Sequence, residues 1–340
     1  MALSIGIIGL GGLGRTQAEV LDEMDDVELV AGADVSSDAR SVFEETFAVP
    51  TYEKYRDLLS REPIDAVAIV TPHELHYDQV KDALISDIHV HVEKPLVTQA
   101  SDAIELINIA KDGDLTFQVG YQRHFEPAYQ EIRRIVTGGE IGTPHFANCY
   151  LGQNWIPNAE GTWRMSPDLS GGGQLIDSGS HLLDALLWTT DTKPRRVSAL
   201  IDDRDHDVDI NSAVSTELVG DEGTMLASIA VTGEGQNFNE QLTIWGTTGK
   251  VTYGAGQFLL ERNGRPNAVI EPEYPNYMEG NRRKFRSFVD SIRNGTPSPV
   301  PAEFGLRVTQ LTEAAYRAAE TGSVINIEPV DVAPTVRASD

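Results

Sequence analysis

The tightest constraint on the fold is a glycine pattern at the end of the first apolar stretch. Ser4–Ile8 reads as a short strand and runs directly into Gly9-Leu10-Gly11-Gly12-Leu13-Gly14, a G-x-G-x-x-G at a strand-to-helix turn. Missing side chains there let backbone N–H groups reach a pyrophosphate at the positive end of a helix. Asp34 strengthens the pattern. It follows the last glycine by about twenty residues, at the end of a second apolar run, Val27–Ala33, where a carboxylate accepts hydrogen bonds from an adenosine ribose. A carboxylate there repels a 2′-phosphate and so favours NAD, while Arg40 leaves a route to NADP.

Further apolar runs at Ala66–Val70, Ile88–Val92 and Leu115–Val119 alternate with helical patterns near Leu13–Glu23, Asp38–Phe47, Leu75–Ser86 and Gln99–Lys111. Strands this apolar, separated by crossover helices, predict a parallel sheet covered on both faces, hence an α/β, doubly wound Rossmann domain over residues 1–122. After Arg123 the texture changes. A helix over Pro127–Val136, a glycine-rich start to another over Gly171–Trp188, and many alternating strands from Arg196 to Leu260 predict an α+β domain with a large, mainly antiparallel sheet. Hairpin turns fall at Gly246–Gly249 and Asn263–Gly264, and two helices, about Arg282–Arg293 and Glu303–Glu320, complete this domain over residues 123–330. Residues 331–340 read as a loose tail. There is no internal repeat.

Acidic residues number 52 against 27 basic ones, of which only seven are lysines, for a net charge of −25. Such a surface repels polyanions, which argues against a nucleic-acid partner. The acids are scattered (Asp22, Glu23, Asp25, Asp26; Asp202, Asp203, Asp205, Asp207, Asp209) and read as solvated faces. Self-repulsion of this size is tolerable where salt screens it, so a salty cytoplasm is expected. No basic leader and no long apolar run is present, which points to a cytoplasmic protein without a membrane segment. The single cysteine, Cys149, excludes an internal disulfide and a cysteine-based zinc site; it reads as a buried, inert thiol.

Two loops at the carboxyl edge of the predicted parallel sheet carry candidate ligand groups. One is Thr71-Pro72-His73-Glu74-Leu75-His76; the other, His91-Val92-Glu93-Lys94-Pro95, brings a lysine to the same crevice. In the later domain, Asp177, His181 and Asp184 fall within roughly 60° of one another on a helix, opposite Leu175, Leu182 and Leu186. A carboxylate four residues before a histidine can orient the ring and stabilise its protonated form for acid–base work, or make a surface ion pair. No dedicated set of further metal ligands is apparent.

In order along the chain, Gly9–Gly14, Thr71-Pro72-x-x-x-His76, Glu93-Lys94-Pro95, Gly120-Tyr121-Gln122-Arg123, Trp163-Arg164, Gly171–Gly173 with Asp177 and His181, and Gly246-Thr247-Thr248-Gly249 resemble the Gfo/Idh/MocA oxidoreductases over nearly the whole length. That resemblance implies hydride transfer between a sugar, inositol or related polyol hydroxyl and NAD or NADP. It implies Lys94, Asp177 and His181 as the catalytic group, with His181 taking the hydroxyl proton, Lys94 supporting the reacting oxygen, and Asp177 fixing the substrate and the imidazole. Gly9, Gly11, Gly12, Leu13, Gly14, Asp34, Thr71, Pro72, His73, His76, Glu93, Lys94 and Gln122 would hold the cofactor. His73 stands where relatives commonly carry Asn. Lys94, Arg123, Asn154, Trp163, Arg164, Asp177 and His181 would meet the substrate, and the open C-terminal sheet would form a homodimer or homotetramer. An NAD-dependent glycoside hydrolase using transient oxidation and elimination, or a non-catalytic cofactor-binding regulator, are the alternatives.

Overall fold

The computed structural model describes residues 2–270, 272 and 276–330. Its first sheet contains β1 (Leu3–Ile8), β2 (Val27–Ala33), β3 (Thr51–Tyr52), β4 (Ala66–Ile69), β5 (His89–Val92) and β6 (Phe117–Val119), in the order β3-β2-β1-β4-β5-β6. Every pair is parallel. Helices α1 (Gly12–Asp22), α2 (Ser37–Phe47), α3 (Tyr55–Arg61), α4 (His76–Ile85) and α5 (Ala100–Asp112) make the connections. β4 is buried at all its positions, which is why it reads as an unbroken apolar run. The connection order reverses between β1 and β4, so a crevice opens at their carboxyl ends. Gly9 sits there with φ of +96°, and a side chain on Gly14 would lie 1.9 Å from the Gly9 carbonyl oxygen, so α1 docks on β1 only because both are glycine.

The second half starts with α6 (Pro127–Thr137) and β7 (Pro144–Asn154), followed by the short helices α7 (Ile156–Ala159) and α8 (Pro167–Ser170) and by α9 (Ser180–Thr190). Strands β8 (Lys193–Asp202), β9 (Asn211–Gly220), β10 (Gly223–Thr232), β11 (Glu234–Gly246), β12 (Gly249–Gly254), β13 (Gln257–Arg262) and β14 (Ala268–Ile270) come next, then α10 (Tyr277–Asn294), α11 (Ala302–Thr321) and β15 (Ile325–Asn326). The nine strands are ordered β14-β13-β12-β11-β7-β10-β9-β8-β15. All neighbours are antiparallel except β7 and β10.

Both lobes have the architecture expected from sequence, with additions. β3 and α3 were missed because a two-residue edge strand shows no alternation. β7, also missed, holds the centre of the second sheet: Ala147, Cys149 and Leu151 point inward, but Asn148, Gly152 and Gln153 dilute the signal. The helix expected over Gly171–Trp188 is divided. α8 ends at Gly171 in the left-handed region, a π-helical turn occupies Leu175–Gly179, and α9 follows.

One apolar cluster runs from Val67 and Val92 through Ile132 and Leu183 to Val214 and Leu260, joining the lobes. α10 returns to the first lobe, where Phe285, Phe288 and Val289 pack with Ile5, Val20 and Leu21. The boundary expected at Gln122 thus falls between sheets but not between cores. The tail expected at 331–340 lies outside the described residues. Among those described, no helix is long and apolar enough to cross a membrane.

Candidate active site

At the end of β1 the first turn of α1 is bare. Its N-cap is Gly11, with no side-chain cap, and a Cβ placed on Gly11 or Gly12 would meet nothing within 4 Å. Unsatisfied helix N–H groups facing open space suit a pyrophosphate. Across the turn, Asp34 accepts from the Leu10 amide and the Ser36 amide, each at 2.8 Å, which fixes its carboxylate at the tip of β2. Arg40 donates to the carbonyls of Asp34 and Val35 at 2.7 and 3.1 Å, so its guanidinium lies beside the same corner. These residues fit the adenosine and pyrophosphate of a dinucleotide.

Where the two lobes meet, Lys94 Nζ donates to Asp177 Oδ1 at 2.9 Å and to the Asp177 main-chain oxygen at 2.8 Å. The wide π turn presents that carbonyl to a side chain. Asp177 Oδ2 accepts from Trp155 Nε1 at 2.8 Å and Arg164 Nε at 3.1 Å, while His73 Nε2 stands 3.9 Å from Oδ1. Burial would raise the Asp177 pKa; the charge of Lys94, then His73 and Arg164, outweighs it and holds the carboxyl well below its usual range. Asp177 is therefore an anion whose carboxylate accepts three hydrogen bonds, one at Oδ1 and two at Oδ2.

His181 lies on the first turn of α9 with its ring edge-on to Tyr121, centroids 6.2 Å apart. Burial, followed by the nearby charges of Lys94 and Arg123, pushes its pKa well below the ordinary histidine value, so the imidazole is neutral near pH 7 and able to take a proton. The expected orientation of this ring by Asp177 is not found: no contact within 4 Å joins them, because Lys94, Trp155 and Arg164 occupy the carboxylate. Asp184, expected on the same face, is buried and pairs with His124 at 3.0 Å.

The remaining expected site residues separate into two groups. Trp163 stacks edge-on against His73, centroids 4.6 Å apart, and Arg164 lies 4.5 Å over the Trp163 ring, so this turn closes over Asp177. His73, held at Nδ1 by the Ser170 carbonyl at 2.9 Å, has its pKa lowered to about 3, by burial first and Lys94 second. Gln122 and Arg123 line a cavity of about 310 Å³ with Glu126, Tyr129, Asn239 and Glu240. There Arg123 is ion-paired to Glu240, which also accepts from the Tyr129 hydroxyl, and Arg123 Nη1 is buried without a partner.

Others are turned to structural tasks. His76 is fully buried, with Nδ1 and Nε2 facing the carbonyls of Pro95 and Thr71 at 2.9 and 3.0 Å; it ties the two crevice loops together. Thr71 Oγ1 donates to Gln79, and Pro72 is half-buried at the same turn. Glu93 bonds to Gln17 and Lys284, the latter at 2.6 Å. Asn154 is exposed at the end of β7, its carbonyl accepting from Asn158.

Sequence reasoning missed Trp155, the indole that holds Asp177, and Lys284, an almost fully buried ammonium on α10. It also misplaced Asp209. Far from being solvated, this carboxylate is buried and accepts from the amides of Gly173 and Leu175 at 2.6 and 2.8 Å and from the Tyr316 hydroxyl at 2.6 Å. It caps the turn that carries Asp177.

A family model described as "Oxidoreductase family, NAD-binding Rossmann fold" matches residues 3–121, and one described as "GFO/IDH/MocA C-terminal domain" matches residues 129–252. The chain belongs to the Gfo/Idh/MocA oxidoreductase family. It is an NAD(P)-dependent oxidoreductase. Among its relatives, D-xylose 1-dehydrogenase [NADP(+)] of Haloarcula marismortui is 26% identical, over 87% of this chain and 82% of that protein. Myo-inositol 2-dehydrogenase of Thermotoga maritima is 25% identical, over 96% and 99%. The fold is shared with levoglucosan dehydrogenase in complex with NADH, at a TM-score of 0.87 and 19% identity, covering 97% of this chain and all of that one.

Proposed function

We propose that this oxidoreductase reversibly oxidises a secondary or anomeric hydroxyl of a sugar, inositol or related polyol at the lobe junction. The observation that carries the reading is the 2.9 Å contact between Lys94, from the first lobe, and Asp177, from the second, beside a neutral His181. The bound nicotinamide supplies the acceptor for the hydride lost by the carbinol carbon. His181 takes the hydroxyl proton on a ring nitrogen. Lys94 Nζ has a third donor left after its two bonds to Asp177, and this hydrogen-bonds the reacting oxygen and stabilises negative charge developing there. Asp177 holds Lys94 in place, and Trp163 and Arg164 cover the substrate.

Screening NAD and NADP reduction in high salt against aldoses, inositols and sugar acids tests this. Free reduced cofactor formed with at least one of them is the expected result. Glycoside cleavage without it would replace the reading with the hydrolase. Equal inactivity of wild type and His181→Ala across the panel would replace it with a binding protein.

The proposal extends to a cytoplasmic homo-oligomer. On the uncovered face of the second sheet, Leu226, Phe146 and Trp245 stand in register across β10, β7 and β11, with Leu226 52% exposed. Such an apolar row suits a twofold interface. Light scattering of Phe146→Asp against wild type should show a smaller particle.

A further inference from the structure

A cavity of about 1400 Å³ lies at the amino-terminal edge of the first sheet, where Leu115–Phe117 enter β6, whereas the catalytic residues gather at the carboxyl edge. Its walls come from both lobes: α5 and the start of β6 on one side, α6 and the α9–β8 connection on the other, with α11 between. Among the described residues, its charged lining includes Lys111 and Arg195, paired with Glu303 and Glu217, and the arginines Arg133 and Arg307.

At its centre two guanidiniums share one carboxylate. Arg133 and Arg307 each approach Asp191 at only 3.4 Å, and Asp191 is 51% exposed. Charge-assisted bonds of this kind close to about 2.7–2.9 Å when they are satisfied; here Arg133 also donates to the Trp188 carbonyl and Arg307 to that of Thr192, and the two cations share one loosely held, half-solvated anion. Each guanidinium rests over an aromatic ring, Arg133 over Trp188 at 5.3 Å and Arg307 over Phe304 at 4.6 Å, which limits its movement. The Arg307 pKa is lowered, first by burial, and repulsion from Arg133 adds to it. We propose that this cavity binds a small organic oxyanion, carrying phosphate or carboxylate, between Arg133 and Arg307 at a site separate from the catalytic crevice.

Calorimetric titration of the full chain tests the assignment, at fixed potassium chloride and with saturating NADH so that the α1 turn is occupied. Inorganic phosphate and citrate form separate arms and distinguish the two sources of the oxyanion. At least one should saturate at one site per chain. Arg133→Gln/Arg307→Gln should weaken it by about tenfold or more while NADH affinity is unchanged. Should that variant fail to fold, Arg307→Lys alone, which keeps the charge and loses the guanidinium fork, should still weaken binding about threefold. No saturable heat in either arm, equal affinity in the variant that folds, or binding seen only without NADH would each overturn the proposal.

Discussion

Lys94 and Asp177 lie 83 positions apart in the chain and on different lobes, yet one ammonium group bonds both the carboxylate and the main-chain oxygen of its partner, at 2.9 and 2.8 Å. The pair is largely buried, with side-chain exposures of 14% and 8%. Desolvating two charges is costly unless their other hydrogen-bonding positions are filled. Trp155 and Arg164 fill those of Asp177, leaving the remaining proton of Lys94 as the one free to act.

If that proton supports the reacting oxygen, Lys94→Ala lowers turnover by at least about a hundredfold with little change in dinucleotide affinity. Asp177 keeps two partners in the variant, so the protein should stay folded. Steady-state kinetics with NADH titration checks this; near-wild-type turnover removes Lys94 from the mechanism.

Trp155 reaches the reaction only through Asp177. Trp155→Phe keeps the buried ring and loses the 2.8 Å bond to Oδ2, which should cost turnover about three- to tenfold with KM nearly constant. An equal rise in KM would instead place Trp155 against the substrate.

The carboxylate of Asp34, fixed at the tip of β2, is the group expected to set cofactor choice. Asp34→Asn preserves shape but removes the charge, so the ratio of kcat/KM for NAD over NADP should fall about tenfold or more, helped by the adjacent Arg40. An unchanged ratio contradicts the ribose role.

The glycine turn, Asp34 and the strand-end Lys94 were legible because each is fixed by local backbone geometry plus a strand order that few alternatives satisfy. The Asp177–His181 pairing was not. Helical spacing set the two on one face, but spacing says nothing about a lysine 83 residues away or an indole just after β7 that competes for the same carboxylate. Glu93 and Lys284 show the same limit. A charged residue in a helix reads as solvated until tertiary packing seals it, and α10 docks Lys284 into the first lobe with 1% of its side chain exposed. Asp209 was hidden by its neighbours, since an acidic run gives no sign of which member turns inward.

The charge of −25 leaves many acids without a basic counterpart. Arg282, Arg286 and Arg293 on α10 meet Glu23 and Asp26 across the lobe surface, and such exposed pairs each contribute little. Molar salt weakens them but also cuts the range of the net repulsion to roughly 3 Å. Repulsion among so many acids is the larger effect, so the melting temperature should rise between low-salt buffer and molar potassium chloride. Differential scanning fluorimetry decides it; a flat or falling curve contradicts adaptation to salt.

Acid should unfold the protein before its carboxylates titrate. His73, His76 and His91 are buried, and burial lowers all three pKa values, to about 3 for His73 and about 4 for His91. In the unfolded chain a histidine titrates near 6.5. Between that pH and the folded values the unfolded state binds more protons, so stability is complete above about 6.5 and falls as pH drops. His73 and His91 each contribute a slope of about 1.4 kcal/mol per pH unit near pH 5, about 3 kcal/mol per unit together, and the lowered pKa values of His76 and His181 act in the same direction. Asp177 and Glu93, whose pKa values are held low by Lys94 and Lys284 against burial, lose their contribution only below about pH 4, the unfolded carboxylate range. Urea unfolding at pH 7, 6 and 5 measures the slope. His91→Gln should lower the slope by about 1.4 kcal/mol per unit, and an unchanged slope in that variant would show that the buried imidazoles are not its source.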